Sequence, residues 1–366
     1  MKSKKPFQQK KTAQWHSICF LIISFQLAIA TVASASHLLP TPAERGADPI
    51  FKDQAALQYA HLDEAMNLLL DEKTQLAENI LIGVIDKGTV NRQHPDLLDV
   101  LLPESDINSS SPGETHGQYV TGILAARAYN DVGIRGAIGI KARVIYRQVR
   151  SVDDIIYSIN KLVARGVAVI NMSLGLDAPC ATLHIDQEKC QEPIALNSRV
   201  ATAIQTALRG SNTVVVISAG NDHQLISPFA TEKDGLIIVG AMNEQGRVAG
   251  YSNYGPGVSI YAPDFGVWGL TSKGYVSRQP ATSFTTPLVS AAAAWAALYL
   301  RAHNVKYTAR DIKSLILTSA RPQPKLTDKS EVPGSLDYLN LARALQTFVQ
   351  HTHEPPTRKA KIPTKR

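Results

Sequence analysis

Short, mostly apolar runs alternate along this chain with longer segments in which apolar residues recur every three or four positions. Asn79–Asp86, Arg143–Val149, Val167–Ser173, Thr213–Ser218, Leu236–Val239 and Val258–Tyr261 are of the first kind. Such runs suit strands buried on both faces of a parallel sheet. Asp53–Leu70, His116–Ala126, Val152–Arg165, Gln191–Arg209, Leu288–Leu300, Thr308–Thr318 and Asp337–Val349 are of the second kind and read as helices. Ser151 caps the third of these, with Asp154 three residues on. Strands separated by helices imply βαβ units, and hence a three-layer α/β fold: a mostly parallel sheet with helices on both faces.

Four segments follow from the pattern. Residues 1–35 read as a secretory signal peptide: a basic start, the apolar stretch Ile18–Ala30 broken by Ser24 and Gln26, then Ala33-Ser34-Ala35, an A-x-A cleavage pattern. The stretch is short for a membrane span, so cleavage and no stable membrane insertion are expected, placing the protein outside the cytoplasm, secreted or periplasmic. Residues 36–75 form a lead segment, 76–350 the main domain, and 351–366 a basic, Pro-rich tail of disordered composition.

The net charge of +7 changes little. Five lysines and no acids lie in 1–35, and 354–366 carries +4, which leaves −2 for the chain between. A nearly neutral body gives no reason to expect nucleic acid as a partner. A monomer is expected. Cys19 departs with the signal, leaving Cys180 and Cys190, and an even count in an exported chain favours a disulfide between them. Closing so short a loop contributes about 2–3 kcal/mol by the chain-entropy argument. Two thiols without paired histidines do not suggest a metal site.

Candidate chemistry centres on Gln279–Pro287, which leads into the Ala-rich run ending at Leu300. Ser283 stands at or just before a helix N-terminus, with Pro287 near the end of the first turn. Free N–H groups and the positive dipole end there favour developing negative charge. Taken alone, Ser283 reads equally as a helix cap, Asp86 as a strand-end turn former, His116 as a helix-start residue, and Asn221 as a turn residue after Gly220. Their order along the chain, Asp then His then Ser, is that of one of the three unrelated orders of serine hydrolase triads.

Five blocks then sharpen the reading: Asp86-Lys87-Gly88 with His94-Pro95-Asp96-Leu97; His116-Gly117-Gln118-Tyr119-Val120-Thr121-Gly122; Ser173-Leu174-Gly175; Ala219-Gly220-Asn221; and Ala281-Thr282-Ser283-Phe284-Thr285-Thr286-Pro287. In this order and spacing, from about Asn79 to Thr318, the chain resembles the subtilases, the subtilisin-type serine peptidases. The resemblance implies an endopeptidase acting on polypeptide substrate, with Ser283 as nucleophile, His116 as general base and acid, and Asp86 as its orienting partner. It also implies Asn221 as oxyanion donor, and Ser173, Leu174, Gly175, Ala219 and Gly220 as walls of the substrate pocket. No cofactor is required, and a structural calcium at Asp96, Asn130 and Asp131 is weighed against ordinary loop polars. Lys87, Gln118, Ala281, Phe284 and Thr285 depart from the family pattern. They keep open an alternative, a pseudoprotease that binds peptide or protein without efficient turnover. An α/β-hydrolase esterase is disfavoured, because G-x-S-x-G is missing and the triad order differs.

Overall fold

The computed structural model describes residues 48–107, 115–174, 198–226, 234–277, 280–322 and 333–353. Six strands, β1 (Ile80–Asp86), β2 (Ala142–Gln148), β3 (Val169–Met172), β4 (Val214–Ser218), β5 (Leu236–Met242) and β6 (Ile260–Pro263), form one sheet in the order β2-β1-β3-β4-β5-β6. Every pairing in it is parallel. The helices are α1 (Ala55–Tyr59), α2 (Leu62–Leu69), α3 (Glu72–Leu76), α4 (His116–Ala125), α5 (Val152–Ala164), α6 (Ser198–Leu208), α7 (Thr282–Ala302), α8 (Ala309–Thr318) and α9 (Tyr338–His353). Each predicted apolar run is therefore a strand, with ends shifted by at most three residues.

Alternation of side chains across the pleat builds two cores. Ile82, Val84, Val169, Val214, Val216 and Ile237 meet the helices of one face, α7 foremost. Ile85, Ile170, Val215, Ile217 and Ile238 meet α5 and α6 on the other. This is the predicted three-layer arrangement. Helix α7 is buried along its length; its Ala291–Ala294 run lets it approach the sheet closely, and Trp295 Nε1 donates to Ala137 O at 2.9 Å.

Three local expectations are corrected. The helix predicted over Asp53–Leu70 is broken into a 3-10 turn at Phe51–Asp53, then α1 and α2. His61 at the break has φ 59°, and the released Ala60 carbonyl accepts from Tyr338 N, at the start of α9. A tertiary contact has overridden local propensity there. Residues from Asp48 onward thus share a core with the sheet: Leu57, Leu62, Met66 and Leu69 lie with Val84 and Leu298. Second, Pro287 stands in the second turn of α7, because the helix already begins at Thr282. Third, a hairpin of β7 (Trp268–Leu270) and β8 (Tyr275–Ser277), absent from the sequence reading, packs on α4.

Candidate active site

Strand β1 has β2 on one side and β3 on the other, so chain direction across the sheet reverses at its C-terminal end, where clefts form in open α/β sheets. Asp86 is the last residue of that strand and is fully buried. Its Oδ1 accepts from His116 Nδ1 at 2.6 Å and from Lys87 N at 2.6 Å. Its Oδ2 is buried and has no hydrogen-bond partner among the described residues. His116 opens α4, whose N-terminus is capped by Thr115, and its side chain remains about one-third exposed. One edge of the imidazole is therefore anchored, while the side chain stays partly exposed.

The turn after Asp86 is itself held. Tyr146, reaching across from β2, places its hydroxyl 3.1 Å from Lys87 O and 3.0 Å from Gly88 O, and Gly117 N donates to Lys87 O at 3.0 Å. Any side chain at Gly117 would run into the Tyr146 ring, with Cζ 2.6 Å from an added Cβ. Burial, reinforced by the carboxylates of Asp86 and Asp106, raises the Tyr146 phenol well above its ordinary range, so it stays a donor.

Ser283 lies on the first turn of α7 and is buried. Its neighbour Phe284 joins it to the acid–imidazole pair: the Phe284 ring stands 5.6 Å from His116 and 6.0 Å from Tyr119, centroid to centroid. Asn221 follows Gly220, whose φ of 102° suits glycine. Asn221 Oδ1 accepts from Thr282 N at 2.9 Å and Thr282 Oγ1 at 3.0 Å, thereby capping α7 from another segment. A backbone N–H can only donate, so the amide oxygen must face Thr282 and the amide nitrogen turns away from it.

Sequence reasoning missed Asn253, which is buried. Its backbone N donates to Gly220 O at 3.0 Å and its Nδ2 to Ala219 O at 2.9 Å. Its Oδ1 accepts from Asp222 N at 3.0 Å and Gln224 N at 2.8 Å. Ser173 and Leu174 follow β3, whose last residue Met172 pairs with Ile85 of β1; both are buried, and Ser173 Oγ accepts from Asn171 Nδ2 at 3.1 Å. Ala219 is buried at the end of β4. Gly175, Cys180 and Cys190 lie outside the described residues, as do the signal peptide and residues 354–366; the tail expected from 351 begins later, because His351, Thr352 and His353 still belong to α9.

Most departures from the family blocks have structural uses. Gln118 accepts from Asn91 N at 2.6 Å and donates to Thr271 O at 3.2 Å, bracing the hairpin. The Thr285 hydroxyl is buried and donates to Gly240 O and Thr282 O, away from the cleft. Ala281 has φ −160°, extended backbone that needs no glycine.

Two of the three oxygen donors weighed for calcium, Asp96 and Asn130, are bonded to each other. Asp96 accepts from Asn130 Nδ2 at 2.9 Å and Ile134 N at 3.1 Å, so Asn130 turns amide protons, and no oxygen, toward it. The Asn130 oxygen accepts from Val132 N. Burial pushes the Asp96 carboxyl up to about 6. Among the described residues no group of three or more His, Cys, Asp or Glu gathers for a metal.

Comparison with known proteins gives the same picture. Residues 77–340 match the Subtilase family. A thermophilic serine proteinase of Bacillus sp. (strain AK1) is 30% identical over 225 residues, 58% of this chain and 51% of that protein. Subtilisin of Bacillus pumilus is 28% identical over 228 residues, 59% of this chain and 76% of its own length. The cell wall-associated protease of Bacillus subtilis (strain 168) is 26% identical over 269 residues, 70% of this chain and 27% of that protein. The chain thus spans about half the length of the first of these relatives and about a quarter of the last. Among solved structures, the prenylagaramide maturation protease PagA superposes with TM-score 0.59 at 25% identity, over 78% of this chain and 98% of that one. A protease from Pseudoalteromonas arctica shares the fold with TM-score 0.62 at 24% identity, over 81% and 98%. With the family match covering well over half of its residues, the chain belongs to the subtilase family of serine-type peptidases.

Proposed function

We propose that this protein is an exported subtilisin-like serine endopeptidase using Asp86, His116 and Ser283. The observation that carries the reading is the 2.6 Å contact from Asp86 Oδ1 to His116 Nδ1, with the same imidazole stacked near Phe284 beside Ser283. A carboxylate on Nδ1 sets the tautomer, leaving Nε2 unprotonated and able to act as base. Ser283 Oγ attacks the scissile carbonyl carbon while Nε2 takes its proton. Oxygen of that carbonyl becomes the oxyanion, which accepts from the Asn221 side-chain amide and the Ser283 backbone N–H. The C–N bond then breaks, the imidazolium returns its proton to the departing amine, and an acyl-enzyme remains. Water repeats the sequence, with His116 as base again, and releases the acid. Buried Asp86 stabilises the imidazolium at each stage without taking its proton.

Ser173, Leu174 and Ala219, with Gly175 and Gly220, are assigned to the walls of the pocket before the cleaved bond. Exposed backbone nearby would pair with extended polypeptide. No cofactor enters. Labelling of the mature protein by a serine-directed fluorophosphonate, together with casein cleavage, tests the reading. Both should vanish in Ser283→Ala. Wild type that neither labels nor cleaves refutes it.

One observation favours the pseudoprotease as a second reading. Asp86 Oδ2 is buried without a donor among the described residues, and Lys87 stands where the family pattern has a small hydroxyl residue. Stoichiometric peptide binding without turnover would decide for it. The export reading adds a Cys180–Cys190 bridge, and free thiols at both positions in exported protein, read by mass spectrometry, would reject that bridge.

A further inference from the structure

The geometry points to Asn253 as a positioning residue for the oxyanion donor, an inference that rests on the reading of Asn221 given above. Asn253 lies 32 positions from Asn221 in the chain, yet it bonds the backbone on both sides of it. Ala219 O and Gly220 O accept from its two N–H groups; Asp222 N and Gln224 N donate to its side-chain oxygen. Four bonds from one buried residue therefore fix the peptide units that set where the Asn221 side chain leaves the backbone. The segment carries one strained residue that such a clamp would hold: His223, with φ 53°, lies in the left-handed region. Neighbouring contacts add to it, since His223 N donates to Tyr251 O and Ile226 N to Tyr254 O.

The far side of Asn221 is held differently. Its oxygen is fixed on Thr282 at the head of α7, one residue before Ser283. Asn253 thus determines the root of the Asn221 side chain and Thr282 determines its tip. With both in place, the amide nitrogen has one remaining direction, and the donor is aimed before substrate arrives. Electrostatic stabilisation of an oxyanion depends on this kind of preorganisation. Loosening the root by about 1 Å is enough to cost about 10²-fold in rate.

No side chain other than asparagine offers the same set. Aspartate keeps the acceptor for Asp222 and Gln224 but turns an oxygen toward Ala219 O, where a donor is needed. Protonation of that oxygen restores the donor. Asn253→Asp is therefore expected to lose most activity at high pH and to recover toward wild type as pH falls. Alanine removes all three side-chain bonds at any pH.

The test uses the full exported protein and a chromogenic peptide anilide, with kcat expressed per site titrated by fluorophosphonate. Asn221→Ala, Asn253→Ala, Asn253→Asp and the Asn221→Ala/Asn253→Ala double variant are compared from pH 5 to 9. Asn253→Ala should lower kcat about 10–100-fold with KM within about 3-fold, the signature of a contact made only in the transition state. Added to Asn221→Ala, it should lower kcat by no more than about 3-fold further, because the two act through one donor. The kcat of Asn253→Asp relative to wild type should rise about tenfold from pH 9 to pH 5. If Asn253→Ala does not fold, the Asp variant carries the test alone. Unchanged kcat in the Asn253 variants beside a crippled Asn221→Ala overturns the positioning role and leaves the oxyanion assignment standing. A pH-independent Asn253→Asp ratio, or multiplicative losses in the double variant, also overturns it. A fully active Asn221→Ala would remove the oxyanion assignment itself, and with it this role.

Discussion

Gly117→Ala sets a gain in helix propensity against a clash, and their magnitudes differ enough to decide the outcome. Replacing glycine by alanine within a helix favours the fold by about 0.5–1 kcal/mol, and Gly117 is the second residue of α4. An added methyl would overlap the Tyr146 hydroxyl and stand 2.6 and 2.8 Å from ring atoms Cζ and Cε2. Tyr146 is fully buried and cannot swing into solvent. Overpacking of this kind costs about 1–3 kcal/mol. Displacing the hydroxyl from Lys87 O and Gly88 O forfeits about one net hydrogen bond and leaves a buried polar group short of a partner, a further 1–3 kcal/mol or about that. The clash wins by about 1–5 kcal/mol. Unfolding should shift to lower temperature by about 2–4 °C per kcal/mol. Because the same turn carries Asp86 and receives Gly117 N, kcat should fall at least tenfold alongside. Thermal unfolding and peptide-anilide kinetics on the same preparation check both. Combining Gly117→Ala with Tyr146→Phe should cost less than the sum of the two, since the overlapping oxygen is gone. A Gly117→Ala protein that melts at or above wild type and turns over within twofold of it would refute the packing argument.

Three further outcomes follow from buried groups. Arg135 is buried, donates to Asp48 Oδ2 at 2.8 Å and to Asp63, and stacks on Phe51 at 3.7 Å. Arg135→Met leaves buried Asp48 without its cation, with only the N–H groups of Tyr129 and Asn130, and should cost about 3–5 kcal/mol in urea unfolding; a loss under about 1 kcal/mol would show that the lead segment is only loosely joined. Asp96 has its folded carboxyl pushed up to about 6, against 3.8 unfolded, so it holds a proton more tightly when folded. Its stabilising term is complete below about pH 4 and is lost as pH rises through about 6, a change of about 3 kcal/mol. The stability of wild type relative to Asp96→Asn should fall accordingly over that window, and parallel curves would contradict it. Thr285→Ala removes a hydroxyl bonded to Gly240 O and Thr282 O, so about 0.5–1.5 kcal/mol should be lost while kcat stays within twofold. A tenfold drop in kcat would place Thr285 in the chemistry after all.

The sheet was legible because burial on both faces leaves few polar positions in a central strand, so β1, β3 and β4 announce themselves as nearly continuous apolar runs, interrupted inside only by Asn171. The hairpin of β7 and β8 was not, since each strand has three residues and its stability comes from α4 and Gln118. The break at His61 was equally hidden. No Gly or Pro marks it, and its cause is 277 positions away at Tyr338. Local pattern records what a segment prefers; it does not record a carbonyl claimed by a distant amide.

The candidate site divides along the same line. Asp86, His116 and Ser283 could be named because each sits where a strand ends or a helix begins, positions that local pattern locates well. Asn253 could not, because Ser252-Asn253-Tyr254-Gly255 reads as an ordinary turn, and its four contacts are all to a segment about thirty residues earlier. Gln118 and Thr285 show the complementary limit of local pattern. Placed next to named groups in the chain, they looked like threats to the chemistry. Helical geometry turns adjacent residues about 100° apart, so a neighbour in sequence faces elsewhere. Thr285 accordingly points to Gly240, whereas Phe284 reaches His116. Lys87 is different, since its backbone N–H already serves Asp86 Oδ1 and leaves the question of Oδ2 to its side chain and its surroundings. Of the departures from the family pattern, it is the one whose effect falls directly on the acid that orients the base.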